Sequence, residues 1–502
     1  MIRISLATVK QTAPRILHRK RLDRDADGLD AILAIIPADA PAEAFERLPE
    51  TVRWRTAAGR KPAPGSVHTT ALCNARQTRT ILGVCPKNAS AFDILALAGR
   101  MAKDLGSVTA VGLAAPLSTG TDEAALEALL SAVLAQSFAL PSWRKARERP
   151  RRLERIAVMD SRLDVERVRA AADGNNLARW LTALPPNKLT AESYRRLIGE
   201  AAREHGFTLR WYDEAALRRL GAGAFLAVAA GNARRNAGIA HLSYRPSGRA
   251  APDVALVGKG ILFDTGGINL KPHRGMLDMH TDMAGSAVAL SVLCALAKLR
   301  APIAVDCWLA ITENSIGPSA YRPQDVVTAA NGLTIQVIHT DAEGRMALAD
   351  TLALAARSKP RLVIDYATLT GACVTALTER MSGVFVNTPA LAPKVLAAGS
   401  SSGERVWPFP LDADFDADLE SKVADIMQCT PDSKGDHILA ARFLSRFLPQ
   451  HLPWIHMDLS AATRSGGLGH INTEVTGFGV RYTLELLLRH GVLDGLTDDS
   501  KP

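Results

Sequence analysis

Cysteine, aromatic residues and long apolar runs are all scarce in this sequence of 502 residues. The six cysteines form no CxxC pair, which argues against a disulfide framework or a zinc finger and favours reduced thiols in a cytoplasm. The N-terminus lacks the continuous apolar core of a signal peptide. The stretch nearest to a membrane span, residues 284–299, is short and is typical of a buried helix. We therefore expect a cytoplasmic protein with no membrane partner.

Several common catalytic motifs are missing as well. The sequence contains no HExxH and no GxSxG, which disfavours a zincin and a hydrolase with a nucleophile elbow. The "VGKG" of residues 257–260 lacks the spacing of a phosphate-binding loop. The glycine-rich residues 465–479 are more typical of a loop near a site than of a phosphate cradle. Any catalytic chemistry must therefore come from another set of residues.

Basic residues exceed acidic ones, and the formal net charge is +9. Much of the excess lies in two runs, residues 15–21 and 143–155. Such runs can bind nucleic acid through its phosphates. Neither run alternates with aromatic residues that could stack on bases, so a solvated arm and a solvated linker are the better interpretation. A nucleic-acid-binding accessory role remains the alternative hypothesis.

The chain is too long for one hydrophobic core, and two α/β domains are expected. With 47% hydrophobic and 22% charged residues the composition is that of a globular protein. We predict a small, variable N-terminal α/β domain at residues 1–150 and a linker at 151–174. Residues 175–502 would form a larger catalytic α/β domain with a mixed central sheet covered by helices. The N-terminal part alternates predicted strands (31–37, 80–86, 108–117) with predicted helices (90–106, 122–140).

The second part repeats this alternation with longer apolar runs. Residues 325–341 read as a hairpin, because Asn331-Gly332 suits a two-residue turn that needs positive φ at both positions. We predict a helix over 284–299 and strands at 208–212, 224–230, 237–244, 253–260 and 302–312. Residues 361–372 are predicted to be a buried strand that ends in a glycine-containing loop.

Four acidic residues are candidates for a metal site. Asp341 and Glu343 are separated by one residue in the "HTDAEGR" at the end of the hairpin. Asp264 and Asp282 lie upstream among glycines and apolar residues. Four carboxylates in a low-dielectric cleft would repel one another, and some would bind protons. Two divalent cations would balance them, and paired metals are a known solution for hydrolysis.

Two lysines lie in the same apolar surroundings. Lys259 ends an apolar run, where an unpaired ammonium is costly to bury, and Lys271 lies between Leu270 and Pro272. Lys259 could bind a metal as a neutral amine after losing its proton. Because lysine is a rare ligand, spacing alone favours the other interpretation, an ion pair with a buried acid. His273 and His280 are more typical of a polar rim than of metal ligands.

Five motifs together resemble the leucyl aminopeptidase family of cytosolic dimetal exopeptidases. They are "GKGILFDTGG", "INLK", "DMAGSA", "TDAEGR" and "ATLTGA", in order within about residues 175–482. Residues 1–150 share only a general α/β character with that family. The resemblance implies hydrolysis of the N-terminal residue from peptide substrates and a homohexamer with the catalytic domains at its centre.

The resemblance also implies a role for each site residue. Lys259, Asp264, Asp282 and Glu343 would bind one ion, and Asp264, Asp341 and Glu343 the other. Zinc or manganese would suit these ligands, and cobalt or magnesium would be tolerated. Lys271 would polarise the scissile carbonyl, and Arg345 would hold a bicarbonate that relays the proton from water. A pocket for leucine-like or methionine-like side chains would be lined by Met279, Thr368, Gly371, Ser460 and Thr463.

Three departures from the usual family pattern leave the reaction class unchanged. His339 stands where asparagine usually precedes TDAEGR, and His280 where a lysine or arginine often precedes the ligand aspartate. The tail at residues 456–481 also differs from the usual run. These changes bear on side-chain preference, metal choice and the surroundings of the anion. A metal-free structural homologue is a third hypothesis, which the intact ligand set disfavours.

Overall fold

The computed structural model describes residues 4–9, 14–23, 25–59, 62–145, 152–246, 248, 251–432 and 434–496. Two sheets organise these residues, one for each of the two expected α/β parts, and a small third sheet lies beside the second.

The first sheet has the strand order β1-β6-β5-β2-β4-β3, and every neighbouring pair is parallel except β3 with β4. Its strands are β1 (Arg15–Arg19), β2 (Ala31–Pro37), β3 (Val67–Ala71), β4 (Arg79–Cys85), β5 (Ala110–Ala114) and β6 (Arg155–Met159). The accompanying helices are α1 (Leu6–Val9), α2 (Ala42–Glu46), α3 (Thr51–Ala58), α4 (Ala91–Lys103) and α5 (Glu123–Gln136). Apolar clusters cover both faces of the sheet. The three predicted strands and two predicted helices are therefore confirmed.

The boundaries of helix α4 were predictable from the sequence because capping residues mark both ends. The side chain of Ser90 accepts from the backbone N–H of Asp93, and the Asp93 carboxylate accepts from the backbone N–H of Ser90. This reciprocal pair satisfies two donors that the first turn of a helix leaves free. Gly106, just beyond the helix, has a φ of +60°, a conformation that glycine adopts easily.

The predicted linker at 151–174 contains regular structure instead. Strand β6 lies between β1 and β5, with Ile156–Met159 buried in the first sheet. Helix α6 (Val165–Thr182) begins in the same stretch and packs on the second half of the molecule. The sequence did not indicate β6 clearly, because its short apolar run "IAVM" follows an arginine-rich segment. The first sheet thus extends beyond the predicted boundary at residue 150, and residues 146–151 lie outside the described residues.

The second sheet has the order β15-β14-β17-β13-β9-β10-β8-β7. Its four central strands, β17, β13, β9 and β10, are parallel, and antiparallel pairs flank them, so the prediction of a mixed sheet is confirmed. The strands are β7 (Thr208–Asp213), β8 (Gly238–Tyr244), β9 (Val254–Asp264), β10 (Val305–Asn314), β13 (Leu362–Ala367), β14 (Ser382–Val386), β15 (Val406–Pro408) and β17 (Trp454–Asp458).

Helices cover both faces of this sheet. The helices of this part of the described chain are α6, α7 (Ala191–His205), α8 (Glu214–Arg219), α9 (Gly223–Ala229), α10 (His273–Met276), α11 (Ala284–Lys298), α12 (Glu343–Ala356), α13 (Gly371–Leu377), α14 (Ala392–Ser402), α15 (Asp436–Ser445) and α16 (Val480–Arg489). The segment that includes α11 is apolar and long enough to cross a membrane by composition, but 83% of its apolar window is buried inside the protein. The prediction of a buried helix there is confirmed.

Two local predictions were wrong. Residues 224–230 form most of helix α9 rather than a strand, because the run has no clear period and the remote carboxylate of Asp350 accepts from the backbone N–H of Phe225 at the start of the helix. The hairpin exists as β11 (Val326–Thr328) and β12 (Thr334–Gln336), and β16 (Ile426–Met427) extends it to three strands. Its turn is longer than two residues, and of Asn331 and Gly332 only Gly332 has positive φ.

Candidate dimetal site

Two strand ends and one helix start bring polar side chains to one edge of the second sheet. Asp264 ends β9, Asn314 ends the neighbouring β10, and Glu343 begins α12. The pairing of β9 with β10 shifts register just before Asn314 pairs with Asp264. Since ligands of open α/β sheets bind outside the carboxyl ends of parallel strands, this edge is where a site is expected.

All four predicted carboxylates meet there. Asp264, Asp282 and Glu343 are buried, and Asp341 is partly exposed. Single carboxylate oxygens of Asp264, Asp341 and Glu343 lie within 4.8 Å of one another. Lys259 joins Asp282 to this group, because its Nζ lies 2.8 Å from Asp282 Oδ1 and 2.9 Å from Glu343 Oε1. The acids therefore form one continuous cluster.

The two lysines supply the positive charge of the cluster. Lys259 also donates to the backbone carbonyl of Thr368 at 2.9 Å. The Nζ of Lys271 lies 2.9 Å from Asp264 Oδ2 and 2.5 Å from Asp341 Oδ1. Lys259 is thus paired with buried acids, as the spacing alone had favoured, and it lies where the family resemblance requires a ligand.

The glycine of "HTDAEGR" makes room for Lys259. A Cβ on Gly344 would lie 2.5 Å from Cε and 2.6 Å from Nζ of Lys259. Any larger residue at this position would displace the lysine from the acids. The short motif therefore supplies two carboxylates and also the space that the side chain of Lys259 occupies.

The local field resists the full ionisation of these acids. Burial, together with the nearby Asp264, raises the pKa of Glu343 well above its usual value. Burial likewise raises the pKa of Asp282 to about 6 and that of Asp341 above its ordinary value. Burial alone would lower the pKa of Lys259, but Asp282 and Glu343 outweigh it and raise that pKa. Negative charge is in excess here, and added cations would be stabilised.

Asp282 Oδ2 and Glu343 Oε2 are buried and accept no hydrogen bond from the described residues, and Asp341 Oδ1 has only its ion pair with Lys271 there. An unsatisfied buried acceptor costs on the order of 1–3 kcal/mol, and more when it is charged. Carboxylate oxygens with one amine are a suitable donor set for divalent cations such as zinc or manganese. The residues therefore fit a metal site on grounds of burial, charge and donor type.

Neutral residues hold the acids in place. Asn314 Nδ2 donates to Asp264 Oδ1 at 2.8 Å and to the Thr340 carbonyl at 3.0 Å. Thr368 Oγ1 donates to Asp282 Oδ1 at 2.7 Å. Asn314 is absent from the predicted set, although a buried asparagine at the end of an apolar strand is a signal that could have found it.

Arg345 has a partner that sequence analysis did not find. Its guanidinium is 2% exposed, and Nη2 lies 2.8 Å from both carboxylate oxygens of Asp436. Nη1 donates to the carbonyl of Gln428 at 3.2 Å, and Nε is buried without a partner among the described residues. A carboxylate thus occupies the face of Arg345 that a bicarbonate would need, and the residues present do not fit that anion.

One cavity of about 510 Å³ contains every predicted site residue. Met279, Thr368, Gly371, Ser460 and Thr463 line it together with the acids, the two lysines, Arg345 and Asp436. His339 also lines it, whereas His273 is exposed on α10 and His280 is not among the lining residues. The structure therefore brings the predicted residues to one place, and their separate roles stay predictions.

Comparisons with known proteins agree on one family. Residues 176–484 match the model of the cytosol aminopeptidase family, catalytic domain. A probable cytosol aminopeptidase of Parasynechococcus marenigrum is 39% identical over 417 residues, covering 81% of this chain and 85% of that protein. A second, of Chlorobaculum tepidum, is 42% identical over 313 residues, which cover 62% of each protein and thus less than two thirds of that relative.

Solved structures resemble the chain over nearly its whole length. The bottromycin maturation enzyme BotP in complex with Mn is 31% identical with a TM-score of 0.80, and the match covers 91% of this chain and 99% of that one. The cytosol aminopeptidase of Coxiella burnetii is 26% identical with a TM-score of 0.80, covering 94% and 98%. A mutant tomato leucine aminopeptidase is 25% identical with a TM-score of 0.83, covering 96% and 98%.

Proposed function

This chain belongs to the cytosol aminopeptidase family, and we propose that it is a metal-dependent aminopeptidase that removes the N-terminal residue from peptides. The observation that carries the proposal is the acid cluster, in which buried carboxylate oxygens of Asp282 and Glu343 accept no hydrogen bond from any described residue. A cluster that needs cations and lies in a cavity large enough for a peptide end is suited to metal-assisted hydrolysis.

The proposed cofactor is a pair of divalent cations, held by Lys259, Asp264, Asp282, Asp341 and Glu343. When bound, such ions lower the pKa of water and polarise a carbonyl oxygen. Lys259 would have to lose its proton to act as a ligand, since an ammonium has no lone pair to donate. Zinc or manganese is the expected metal, and the related BotP was solved with Mn.

Lys271 is the proposed electrophile of the chain itself. Acidic neighbours outweigh burial and raise its pKa, which keeps the side chain an ammonium at neutral pH. A fixed positive charge beside the scissile carbonyl stabilises the negative charge that develops on its oxygen. We assign recognition of the substrate's free amine to the Asp282 side of the cluster, which limits cleavage to the first peptide bond.

We propose that Met279, Thr368, Gly371, Ser460 and Thr463 accept the first side chain of the substrate. A Cβ built on Gly371 meets no atom within 4 Å, so the cavity is open beside this residue. Ser460 has a structural contact as well, because its hydroxyl donates to the carbonyl of Met381 at 2.6 Å. The space beside Gly371 and the flexible Met279 favour leucine or methionine at the substrate's N-terminus.

The test is a panel of aminoacyl p-nitroanilides and short peptides, assayed with each metal in turn and with a chelated control. We expect release of N-terminal residues, fastest for leucine and methionine, and no reaction with the matching N-acetylated peptides. If the metal-loaded protein left unblocked peptides intact, the proposed function would be wrong.

A homohexamer and a cytoplasmic location follow from the family resemblance as further proposals. The nucleic-acid-binding alternative has weaker support. Within the described part of the basic runs, Arg19 pairs with Asp25 and Arg21 with Asp23, and Arg155 donates to the carbonyl of Gly28. The two ion pairs reduce the positive charge available to phosphates, and the bond to Gly28 occupies donors of Arg155, so salt-sensitive binding to duplex DNA is not expected.

A further inference from the structure

We propose that Asp436, bound to Arg345, takes the place of an external bicarbonate as the group that accepts a proton from the attacking water. The inference rests on the proposed function and names a further residue for it. It begins from the misfit between a bicarbonate and the pairing of Arg345 described above.

The geometry of the pair is that of an anion site already filled. Both oxygens of Asp436 lie 2.8 Å from Nη2 of Arg345, and the guanidinium is almost wholly buried. A carboxylate and a bicarbonate present the same pair of oxygens to a guanidinium, so each excludes the other. Among the described residues Nε of Arg345 has no partner, and this nitrogen is buried and offers no second face.

The position of Asp436 connects it to the reaction. Arg345 follows Glu343 in the first turn of α12, while Asp436 begins α15, so two helix starts carry the pair to the acid cluster. Asp436 lines the same cavity as Lys271 and the acids, and its side chain keeps 20% of its exposure. It is therefore less buried than Asp282 and Glu343.

A general base is needed because the four clustered acids are committed to cations. The water would give one proton to the Asp436 carboxylate as its oxygen forms a bond to the carbonyl carbon. The proton then passes to the leaving nitrogen as the peptide C–N bond breaks. Peptide and water are consumed, amino acid and shortened peptide are released, and Asp436 returns to its ionised form.

The test compares full-length, metal-loaded wild type with Asp436→Ala, Asp436→Asn and the control Asp432→Ala. Asp432 pairs with Lys434 at the surface and does not line the cavity. Leucine p-nitroanilide hydrolysis is measured in carbonate-free buffer and with added bicarbonate or formate. We expect wild type and Asp432→Ala to be indifferent to either anion, and Asp436→Ala to lose about 100-fold or more in kcat.

Recovery of activity with an added anion distinguishes an Asp436 that accepts a proton from one that is only structural. Bicarbonate or formate should restore at least about tenfold to Asp436→Ala, where the site on Arg345 is vacated. Neither anion should restore Asp436→Asn, whose amide still fills that site. A wild type that needs bicarbonate, or an Asp436→Ala variant at full rate without it, would overturn the proposal, as would a loss of activity that neither anion reverses.

Anion binding supplies a measurement independent of turnover. Bicarbonate should raise the midpoint of thermal unfolding of Asp436→Ala but not that of wild type, with equal metal content in both. Equal shifts in the two proteins would contradict the occupied site. If wild type cleaved no peptide yet the shift occurred only in Asp436→Ala, the proposed function would fail while the occupied anion site would stand.

Discussion

Helix α12 carries two buried acids whose surroundings differ completely. Glu343, in its first turn, is 1% exposed and pairs with Lys259 through one oxygen, while the other has no partner in the described part of the chain. Asp350, about two turns later, is 0% exposed, and its oxygens accept from the backbone N–H groups of Phe225 and Ala330 at 2.8 and 2.7 Å. Burial alone therefore does not mark a functional acid.

The difference lies in what each carboxylate still needs. Asp350 is satisfied by neutral donors that fix the start of α9, so its role is complete without a ligand. Glu343 lies among other acids, where excess negative charge favours a proton or a cation at its spare oxygen. Unsatisfied oxygens in a group of acids thus indicate a metal site, whereas backbone-bonded single acids indicate a structural role.

The sharpest way to break this comparison is to replace each acid in turn. Glu343→Ala should lose at least about 1,000-fold in turnover and most of its bound metal, because it removes an oxygen ligand from a charged site. Asp350→Asn should keep metal and turnover per folded molecule while losing stability. Metal analysis and leucine p-nitroanilide assays measure both effects. Equal metal loss in the two variants would show that burial, not the spare oxygen, matters.

Replacing a lysine tests the positively charged side chains of the cluster. Lys271→Ala should lower kcat by about 100-fold or more with little change in metal content, since the lysine stabilises charge that develops only during the reaction. Lys298→Ala is the matched control, because Lys298 pairs with Asp173 outside the cavity and its loss should leave turnover unchanged. A Lys271→Ala variant that kept its kcat but bound substrate weakly would assign this lysine to binding alone.

The acid cluster and the Arg345–Asp436 pair show how much of the site could be predicted from the sequence. The members of the acid cluster were predictable because the family motifs include each acid and both lysines, and the local pattern of "DAEGR" contains the glycine that admits Lys259. Asp436 lies far along the chain from Arg345, in a helix start without a distinctive pattern, so nothing local predicted their pairing. The outcome depended on a tertiary contact between α12 and α15.

Parts of the fold were unpredictable for a related reason. Residues 224–230 have no strong helical or strand period, and the helix starts where Asp350 binds the backbone of a segment remote in sequence. Strand β6 is short and adjoins a charged run, so it becomes recognisable only between β1 and β5. By contrast, β2 matches the predicted residues 31–37, because a fully buried strand reads as a continuous apolar run.

A smaller expected effect is the pH dependence of stability that Asp350 causes. Burial raises the pKa of Asp350 from 3.8 to about 7, so the folded chain holds this proton more tightly than the unfolded chain. Its contribution to stability is fully present below about pH 4 and is lost as pH rises toward 7. Relative to Asp350→Asn, the free energy of unfolding of wild type should fall over that window by up to about 1.4 kcal/mol per pH unit. Urea unfolding at several pH values measures the difference, and parallel profiles would contradict it.

The smallest expected effect concerns an exposed carboxylate far from the site. Asp93 and Ser90 bond each other's backbone at the start of α4, and these hydrogen bonds lower the pKa of Asp93. Ser90→Ala should cost about 1 kcal/mol in unfolding free energy and leave metal content and turnover unchanged. The hydroxyl of Ser90 also donates to Asp93 Oδ2 at 2.7 Å, and this bond favours the ionised acid. Because Ser90→Ala removes it, the pKa of Asp93 should rise in this variant, which NMR titration would detect. A loss of activity would mean that the first sheet supports the catalytic cavity more directly than its position suggests.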